Sequence, residues 1–77
     1  MNESEFGTIK LHLQELMSKQ DISINKLSFR AEMQRTQLKK YCKNEIQRLD
    51  IGVLARLCYA LNCDLHDLIE YIPPKED

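Results

Sequence analysis

The sequence predicts an all-α fold in which five short helices enclose one small hydrophobic core. Apolar residues recur at intervals of three and four along most of the chain, which is the spacing of one α-helical face. Only two glycines and two prolines occur among 77 residues, and the prolines are adjacent, at Pro73 and Pro74. Aromatic residues, which favour strands, make up 6% of the chain. We therefore expect five helices and no β-sheet.

The first two helices are predicted over residues 7–19 and 24–30. In both, apolar side chains repeat at helical spacing and leave the opposite face polar. Thr8 is the expected N-cap of the first helix, because a threonine hydroxyl can accept a hydrogen bond from a free backbone N–H. Ser23 is expected to cap the second helix in the same way. Ile22, in the turn between them, is expected to point into the core.

A third helix is predicted over residues 34–43, after a turn at Glu32. Asn44 is expected to end this helix, because asparagine tolerates the positive φ that often terminates one. In the loop that follows, Ile46 and Leu49 are expected to point inward.

The last two helices are predicted over residues 51–61 and 65–71. Asp50 and Asp64 are the expected N-caps, and Asn62 is expected to end the fourth helix. The two prolines stop the fifth helix, because proline lacks a backbone N–H and restricts the residue before it. The apolar stripe of the fourth helix is expected to comprise Ile51, Leu54, Ala55, Leu57, Cys58 and Leu61.

The length of the chain fits a single domain, residues 1–77, with a core over about 7–72 and tails at 1–6 and 73–77. A core of this size supplies only about 3–5 kcal/mol of stability. A second copy that covers apolar surface would therefore stabilise the fold further.

Positive charge is concentrated in the middle of the chain. Residues 26–48 hold seven lysines and arginines against two glutamates, a net charge of +5. The segments before and after carry −2 and −4, so the whole chain has a net charge of −1. One cationic surface on an acidic body is typical of a nucleic-acid-binding domain. A solvated helix face is the alternative interpretation of the same residues.

Side chains on and around the third helix have the chemistry of DNA contacts. Glutamine can bind adenine, and arginine guanine, through two hydrogen bonds each, so the first turn of this helix is predicted to read bases. The predicted base contacts are Gln34, Arg35, Thr36 and Gln37. Lysines further along are better placed for phosphates, which set affinity and salt dependence. The predicted phosphate contacts are Ser23, Lys26, Lys39, Lys40, Lys43 and Arg48.

The sequence shows no pattern typical of a catalytic, cofactor or metal site. It has no glycine-rich phosphate loop and no nucleophile elbow. His12 and His66 lie far apart in the sequence, and His12 is expected to face solvent. A zinc site needs about four ligands at matched spacing, and besides Cys58 and Cys63 only Cys42 and the two histidines remain, which come from different faces. The cysteines are therefore expected to be core or half-buried thiols. We therefore expect neither an enzyme nor a metalloprotein, and no small-molecule ligand is evident.

Cysteine usage and the N-terminal segment indicate a cytoplasmic protein. An odd number of cysteines without a signal peptide favours a reducing compartment. The segment MNESEFGT lacks the features of a targeting sequence, and no apolar run approaches the length of a membrane span. We therefore expect a cytoplasmic protein with no membrane partner.

Residues 24–43, INKLSFRAEMQRTQLKKYCK, resemble the helix-turn-helix of the lambda-repressor-like, or XRE, family. The resemblance extends roughly over residues 9–72. Residues 54–73, LARLCYALNCDLHDLIEYIP, are similar to the closing pair of helices in that family. The placement of Cys58 and Cys63 is similar to that in a subgroup of small Cro-like regulators.

The chain departs from the family pattern at two positions. Glu32 stands where the turn usually has glycine, and Ile24 stands where a glutamine often supports a phosphate contact. A glutamate in the left-handed conformation costs roughly 1 kcal/mol relative to glycine. The second departure removes one expected contact with DNA.

The resemblance implies a compact five-helix DNA-binding domain, with helices two and three as the helix-turn-helix. It implies a Cro-like transcriptional regulator, expected to repress, which binds double-stranded DNA as a homodimer. Apolar side chains of the fifth helix exceed what so small a core can absorb. The predicted dimer interface therefore comprises Leu65, Leu68, Ile69 and Ile72.

A protein-interaction module is the alternative function. An antitoxin or an antirepressor would keep the fold without the contacts to DNA. Glu32 and Ile24 slightly favour this alternative, whereas the +5 segment opposes it.

Overall fold

The computed structural model describes residues 5–75 and confirms the five helices in the predicted order. The predicted tails, 1–6 and 73–77, lie partly outside the described residues. The longest described helix has 11 residues, so none of the helices in this part of the chain could cross a membrane. The elements are β1 (Thr8–Leu11), α1 (Leu13–Gln20), α2 (Ile24–Ala31), α3 (Arg35–Cys42), α4 (Ile51–Leu61), α5 (Leu65–Leu68) and β2 (Ile69–Ile72).

The expectation that the fold contains no sheet is wrong. Strand β1 replaces the start of the predicted first helix, and β2 replaces the end of the predicted fifth. The two strands pair antiparallel, from Thr8 opposite Ile72 to Leu11 opposite Ile69. Thr8 is therefore a strand residue and not an N-cap. Strand pairing across some sixty residues follows from the tertiary fold, which local periodicity does not encode.

Three of the predicted helix N-caps are confirmed. The Ser23 hydroxyl accepts a hydrogen bond from the backbone N–H of Lys26 at 3.1 Å. Asp50 accepts from the N–H groups of Gly52 and Val53, at 2.8 and 3.2 Å. Asp64 forms a reciprocal capping box at the start of α5. These side chains satisfy N–H groups that the first turn of a helix leaves free.

Positive φ angles end several of the helices, as the sequence predicts. Glu32 has φ 54° between α2 and α3, and its backbone N–H donates to the carbonyl of Ser28. Asn44 and Asn62 have φ 59° and 50°, after α3 and α4. Glu32 thus closes the turn in the conformation for which other sequences use glycine.

The core is formed by one face of every helix together with the end of β1. Ala31 is 1% exposed at the end of α2, where a small side chain lets the neighbouring helices approach. No polar or charged residue of the described chain is buried. The buried apolar residues are Leu11, Leu13, Met17, Leu27, Ala31, Met33, Leu38, Tyr41, Val53, Leu57, Leu61 and Leu68.

The buried stripe of α4 differs from the predicted one. Val53, Leu57 and Leu61 are at most 2% exposed, whereas Ile51 is 84% exposed. Because apolar residues occur around most of this helix, the packing of α4 against α2 selects the buried face. Leu49 is 38% exposed and does not point inward, while Ile46 is half-buried.

Candidate nucleic-acid interface

The turn between α2 and α3 is held by buried side chains on both sides. Leu27 and Ala31 of α2, Met33 of the turn and Leu38 of α3 are each at most 6% exposed. The backbone N–H of Met33 donates to the Ser28 carbonyl at 3.1 Å. The hydroxyl of Ser28 donates to the carbonyl of Met33 in return. These contacts fix the direction in which α3 leaves the turn.

All four predicted base-contacting residues lie on the surface at the start of α3. Gln34 has extended backbone and occupies the N-cap position, so α3 begins one residue later than predicted. The side chain of Gln34 makes no capping hydrogen bond and is therefore available to a ligand. Arg35, Thr36 and Gln37 form the first helical turn, and all are exposed. In a DNA-binding helix-turn-helix, the corresponding N-terminal end of the second helix is the part that contacts base edges.

One contact at this site was not expected from the sequence. The guanidinium of Arg35 donates a hydrogen bond to the side-chain carbonyl of Asn25 at 3.0 Å. Asn25 lies in the first turn of α2, ten residues earlier, so only the crossing of the two helices brings the pair together. Because an arginine has five N–H donors, the others remain free for a guanine or a phosphate.

The predicted phosphate-contacting residues are exposed and lie on both helices and the next loop. Lys26 is on α2, Lys39 and Lys40 are on α3, Lys43 follows α3, and Arg48 is in the loop before α4. None of these cations takes part in an ion pair within residues 5–75. Ser23, the sixth predicted contact, is also exposed, although its hydroxyl already caps α2.

The positions on α3 divide into a buried face and a cationic face. Leu38 and Tyr41 are at most 3% exposed and point to the core. In an α-helix, residues four apart share a face, so Lys39 continues the row that starts at Arg35, and Lys40 follows Thr36. The cationic side chains thus extend along the same exposed surface as the predicted base contacts. An anionic ligand is the complement of this surface.

The predicted dimer interface is not one helix face. Leu68 is 0% exposed and packs in the core of its own chain, so it is unavailable to a partner. Helix α5 ends at Leu68, and Ile69–Ile72 alternate sides as a strand. Leu65 and Ile72 are 48% and 39% exposed, and Ile69 is half-buried. The four residues therefore do not form the continuous apolar patch that helical spacing implied.

His12 does not simply face solvent. Its Nδ1 is 2.7 Å from a carboxylate oxygen of Glu15, and its Nε2 is 2.6 Å from one of Glu70. The hydrogen bonds to Glu15 and then Glu70 raise the pKa of His12 above its ordinary value of 6.5, since both stabilise the protonated ring. This cluster joins the start of α1 to β2, far from α3 in the sequence.

The cysteines and the exposed metal-ligand types form no chemical centre in the described residues. Burial, the largest cause, raises the pKa of Cys63 to about 11, so its reactive thiolate is disfavoured. Asp64, His66 and Asp67 lie within 4.8 Å of one another, and all three are exposed. Two of them form the capping box of α5, which accounts for their proximity.

Sequence comparison assigns the chain to a group of DNA-binding domains. The family model for the Cro/C1-type helix-turn-helix DNA-binding domain matches residues 12–74. This range includes α1 to α5 and all of the predicted base and phosphate contacts, from Ser23 to Arg48. No curated protein sequence matches the chain significantly.

Several solved structures share the fold. A Bacteroides fragilis protein to which DNA binding is ascribed aligns with a TM-score of 0.72 at 16% identity, over 82% of this chain and 100% of that one. SinR, the master regulator for biofilm formation, was solved in complex with DNA; it aligns with a TM-score of 0.66 at 16% identity, over 71% and 87% of the two chains. A chain of the SinR–SinI complex aligns with a TM-score of 0.67 at 16% identity, over 73% of this chain and 54% of that chain.

Proposed function

Because the chain belongs to the family of Cro/C1-type helix-turn-helix DNA-binding domains, we propose that it is a transcriptional regulator that binds specific duplex sequences through α3. The observation that carries the proposal is the exposed first turn of α3. It presents Gln34, Arg35, Thr36 and Gln37 next to cations that have no ion-pair partner within residues 5–75. Amide and guanidinium groups at this end of a helix suit base edges in the major groove.

The surrounding cations have a different role in this proposal. Lys39, Lys40 and Lys43, with Lys26 and Arg48, contact phosphates and hold the domain in register on the duplex. Each phosphate contact releases bound counterions, so affinity falls as salt rises. Ser23 adds a phosphate contact at the start of α2, where its own cap leaves neighbouring backbone N–H groups directed outward.

We further propose that two copies bind adjacent half-sites. One domain of this size makes few base contacts, and two copies on half-sites about 34 Å apart roughly double the binding free energy. Repression is the proposed outcome, because a bound dimer excludes polymerase from the DNA it covers without any additional contact. This function places the protein in the cytoplasm, together with the DNA.

Selection of bound sequences from a random duplex pool tests the proposal. We expect an enriched motif, and we expect the affinity for it to exceed that for random duplex by about 10³-fold or more at a stated salt concentration. Replacing Lys39, Lys40 and Lys43 by alanine should weaken binding to every duplex. The slope of log K against log salt should fall by about 1 for each lost contact. An unenriched pool would contradict the proposal, and an unchanged slope would place the phosphate contacts elsewhere.

A protein-interaction module remains the second candidate, and one observation favours it. Phe29 on α2 and Tyr59 on α4 are 87% and 86% exposed, and they line a shared surface depression with Glu32. These aromatic side chains are outside the proposed DNA surface. Binding to heparin or to random duplex between low and moderate salt separates the two candidates, because an adaptor has no need of the cationic surface.

A further inference from the structure

An open groove runs along strand β1, and the end of β2, at Tyr71 and Ile72, also lines it. It has a volume of about 680 Å³ and runs between the strand and the loop that connects α3 to α4. Side chains from both sides line it, among them Phe6, Ile9, Asn44, Ile46 and Tyr71. None of these residues belongs to the proposed base or phosphate contacts. The groove is therefore a second surface, for which DNA binding gives no explanation.

The outer edge of β1 already has a substitute for a strand partner at one residue. The backbone N–H of Leu11 donates to the side-chain oxygen of Asn44 at 2.6 Å. The side-chain nitrogen of Asn44 donates to the carbonyl of Leu11 at 3.1 Å. An asparagine amide that bonds both groups of one residue occupies the position of a peptide in a neighbouring strand.

The next outward-facing residue of this edge is Ile9, and its backbone groups have no partner within residues 5–75. In an antiparallel pair, successive residues direct their backbone groups to opposite edges. The N–H of His12 donates to the Leu68 carbonyl at 2.7 Å, so Thr8 and Lys10 face β2 in the same way. The backbone N–H and carbonyl groups of Ile9 and Leu11 consequently point into the groove. Asn44 forms hydrogen bonds with those of Leu11 but not with those of Ile9.

Exposed apolar side chains line the groove beside this open edge, on β1, on β2 and just before β1. Phe6 is 63% exposed, Ile9 55%, Tyr71 57% and Ile72 39%. A free strand edge beside apolar surface is a site for pairing with another strand.

We propose that a second copy of this chain binds here, with the β1 strands of the two copies pairing antiparallel about a two-fold axis at Ile9. This inference rests on the proposed function, which requires two copies, and it identifies where they meet. The Ile9 residues of the two copies exchange both backbone hydrogen bonds. The result is a four-stranded sheet with one β2 at each edge.

Self-pairing fits the residues on either side of Ile9. With the axis at Ile9, Lys10 of each copy lies opposite Thr8 of the other, so no like charges are opposed. In this register, Gly7 of one copy would lie opposite Leu11 of the other, where Asn44 of that other copy already bonds the strand edge. Gly7 has φ 90°, so the chain leaves the strand there and avoids that asparagine. An isologous contact of this kind closes after two copies and does not propagate.

The position of the groove also connects this contact to DNA binding. Gln47 lines the groove, and the next residue in the same loop is Arg48, a proposed phosphate contact. The two copies would therefore meet beside their DNA-binding loops. A four-residue strand and one groove bury less than the ~1,200 Å² of total area typical of stable interfaces, so we expect a weak dimer that adjacent half-sites strengthen.

Amide hydrogen exchange on the wild-type protein is the first test. The exchange of the Ile9 amide should slow by about tenfold or more from dilute to concentrated protein, because dimerisation protects that N–H. The Leu11 amide is the internal control, since Asn44 already bonds it in the single copy. An Ile9 amide whose exchange is independent of concentration would overturn the proposal.

Sedimentation equilibrium of matched variants is the second test. Ile9→Pro removes a backbone donor that the single copy does not use, and Ile9→Glu adds a charge to the edge. Both should weaken the dimer by about tenfold or more while circular dichroism stays that of the wild type. Phe29→Glu, which changes an equally exposed apolar residue outside the groove, should leave the dimer unchanged. Dissociation by Phe29→Glu but not by Ile9→Glu would overturn the proposal and place the contact on α2 and α4.

Binding to duplexes with one or two half-sites separates this inference from the proposed function. The Ile9→Glu variant should bind a single half-site as the wild type does and lose the added affinity of the second. A wild-type protein that dimerises through Ile9 but selects no sequence would refute the function and leave the dimer in place. Sequence-specific binding by a protein whose two copies are not coupled through Ile9 would refute the dimer alone.

Discussion

The helix-turn-helix and the two-stranded sheet depend on the sequence in different ways. In the helix-turn-helix, Ser23 caps α2, Glu32 closes the turn and Leu38 anchors α3, all within some twenty residues. In the sheet, Ile9 faces Tyr71 across more than sixty residues. Local signals therefore determine the first region, whereas the second forms only when the whole chain has folded. Four predictions test this difference, from the largest expected effect to the smallest.

Leu38→Ala should destabilise the protein most. Leu38 is 0% exposed and fixes α3 against the core, so its truncation leaves a cavity and should cost about 2–5 kcal/mol of unfolding free energy. Urea denaturation measures the change. Ile51→Ala is the control, because Ile51 is 84% exposed and its truncation should change the stability by less than about 0.5 kcal/mol. Equal losses for the two variants would mean that α4 buries a different face.

Gly7→Ala should disturb the sheet and leave the helix-turn-helix intact. Gly7 has φ 90°, and an added Cβ would clash with the backbone carbonyl oxygen of Ile72. We expect a loss of about 1–3 kcal/mol, with faster amide exchange in β1 and β2 and retained binding to a single half-site.

The control for that variant is Gly52→Ala in the first turn of α4. The added Cβ there would be 3.2 Å from a carboxylate oxygen of Asp50, and the backbone is not left-handed. Alanine is the better helix former by up to about 1 kcal/mol, which offsets this tight contact, so this variant should lose much less stability than Gly7→Ala. If both glycines tolerate alanine equally, β1 and β2 do not pair closely in solution.

Gln37→Ala should relax the sequence preference at one or two base positions. A bidentate contact from a glutamine contributes about 1–3 kcal/mol of discrimination, while the neutral side chain adds little to nonspecific binding. Arg35→Ala should lose more, because it removes a charge as well. Motifs selected by wild type and variants at one salt concentration are the measurement, with Gln14→Ala on the exposed surface of α1 as the control. Identical motifs for all four proteins would mean that α3 does not recognise the bases.

The cluster around His12 should produce a small dependence of stability on pH. Hydrogen bonds that the protonated ring of His12 donates to Glu15 and Glu70 raise the pKa of His12. Its stabilising contribution is therefore complete below about pH 6.5 and is lost as pH rises through the folded-state pKa. The hydrogen bond with His12 lowers the pKa of Glu15, whose contribution is lost as pH falls below its ordinary value of 4.5. The Nζ of Lys10, 4.0 Å from a carboxylate oxygen of Glu15, adds a positive charge to the same cluster.

We expect an effect of about 1 kcal/mol or less, because these carboxylates are exposed and screened by solvent. Thermal midpoints of wild type and His12→Gln should differ most near pH 5.5 and converge toward pH 8.5. His66→Gln, which changes the other histidine, is the control. A difference that grows with rising pH would contradict the sign of this prediction.

Most of the candidate DNA surface could be predicted from residue types at helical spacing. The exposure of Arg35, Thr36 and Gln37 follows from Leu38 and Tyr41 being the apolar residues of the same helix. The hydrogen bond from Arg35 to Asn25 could not be predicted, because it depends on the angle at which α2 and α3 cross. That these residues bind DNA stays a prediction, which the base-preference measurement tests.

The predicted dimer interface, in contrast, could not be located from residue types at helical spacing. Leu65, Leu68, Ile69 and Ile72 share a face only if α5 continues, and the structure ends it at Leu68. Leu68 is buried in the core of its own chain, whereas Ile9 and Tyr71 are exposed beside the free edge of β1. The pattern of the fifth helix was compatible with a helix or a helix followed by a strand, and only a partner strand from the N-terminal end decides between them.

Residue types and their spacing were sufficient to predict the five helices, the caps at Ser23, Asp50 and Asp64, and the turns at Glu32 and Asn62. Each of these depends on hydrogen bonds and dihedral preferences within a few residues, which residue types and their spacing encode directly. Long-range packing, in contrast, makes Thr8–Leu11 and Ile69–Ile72 strands and turns Val53 of α4 inward and Ile51 outward. It also brings Asn44 to the edge of β1. Those outcomes depend on which distant strand or helix packs against the segment. A short apolar segment is compatible with either a helix or a strand, and its tertiary partner selects between them.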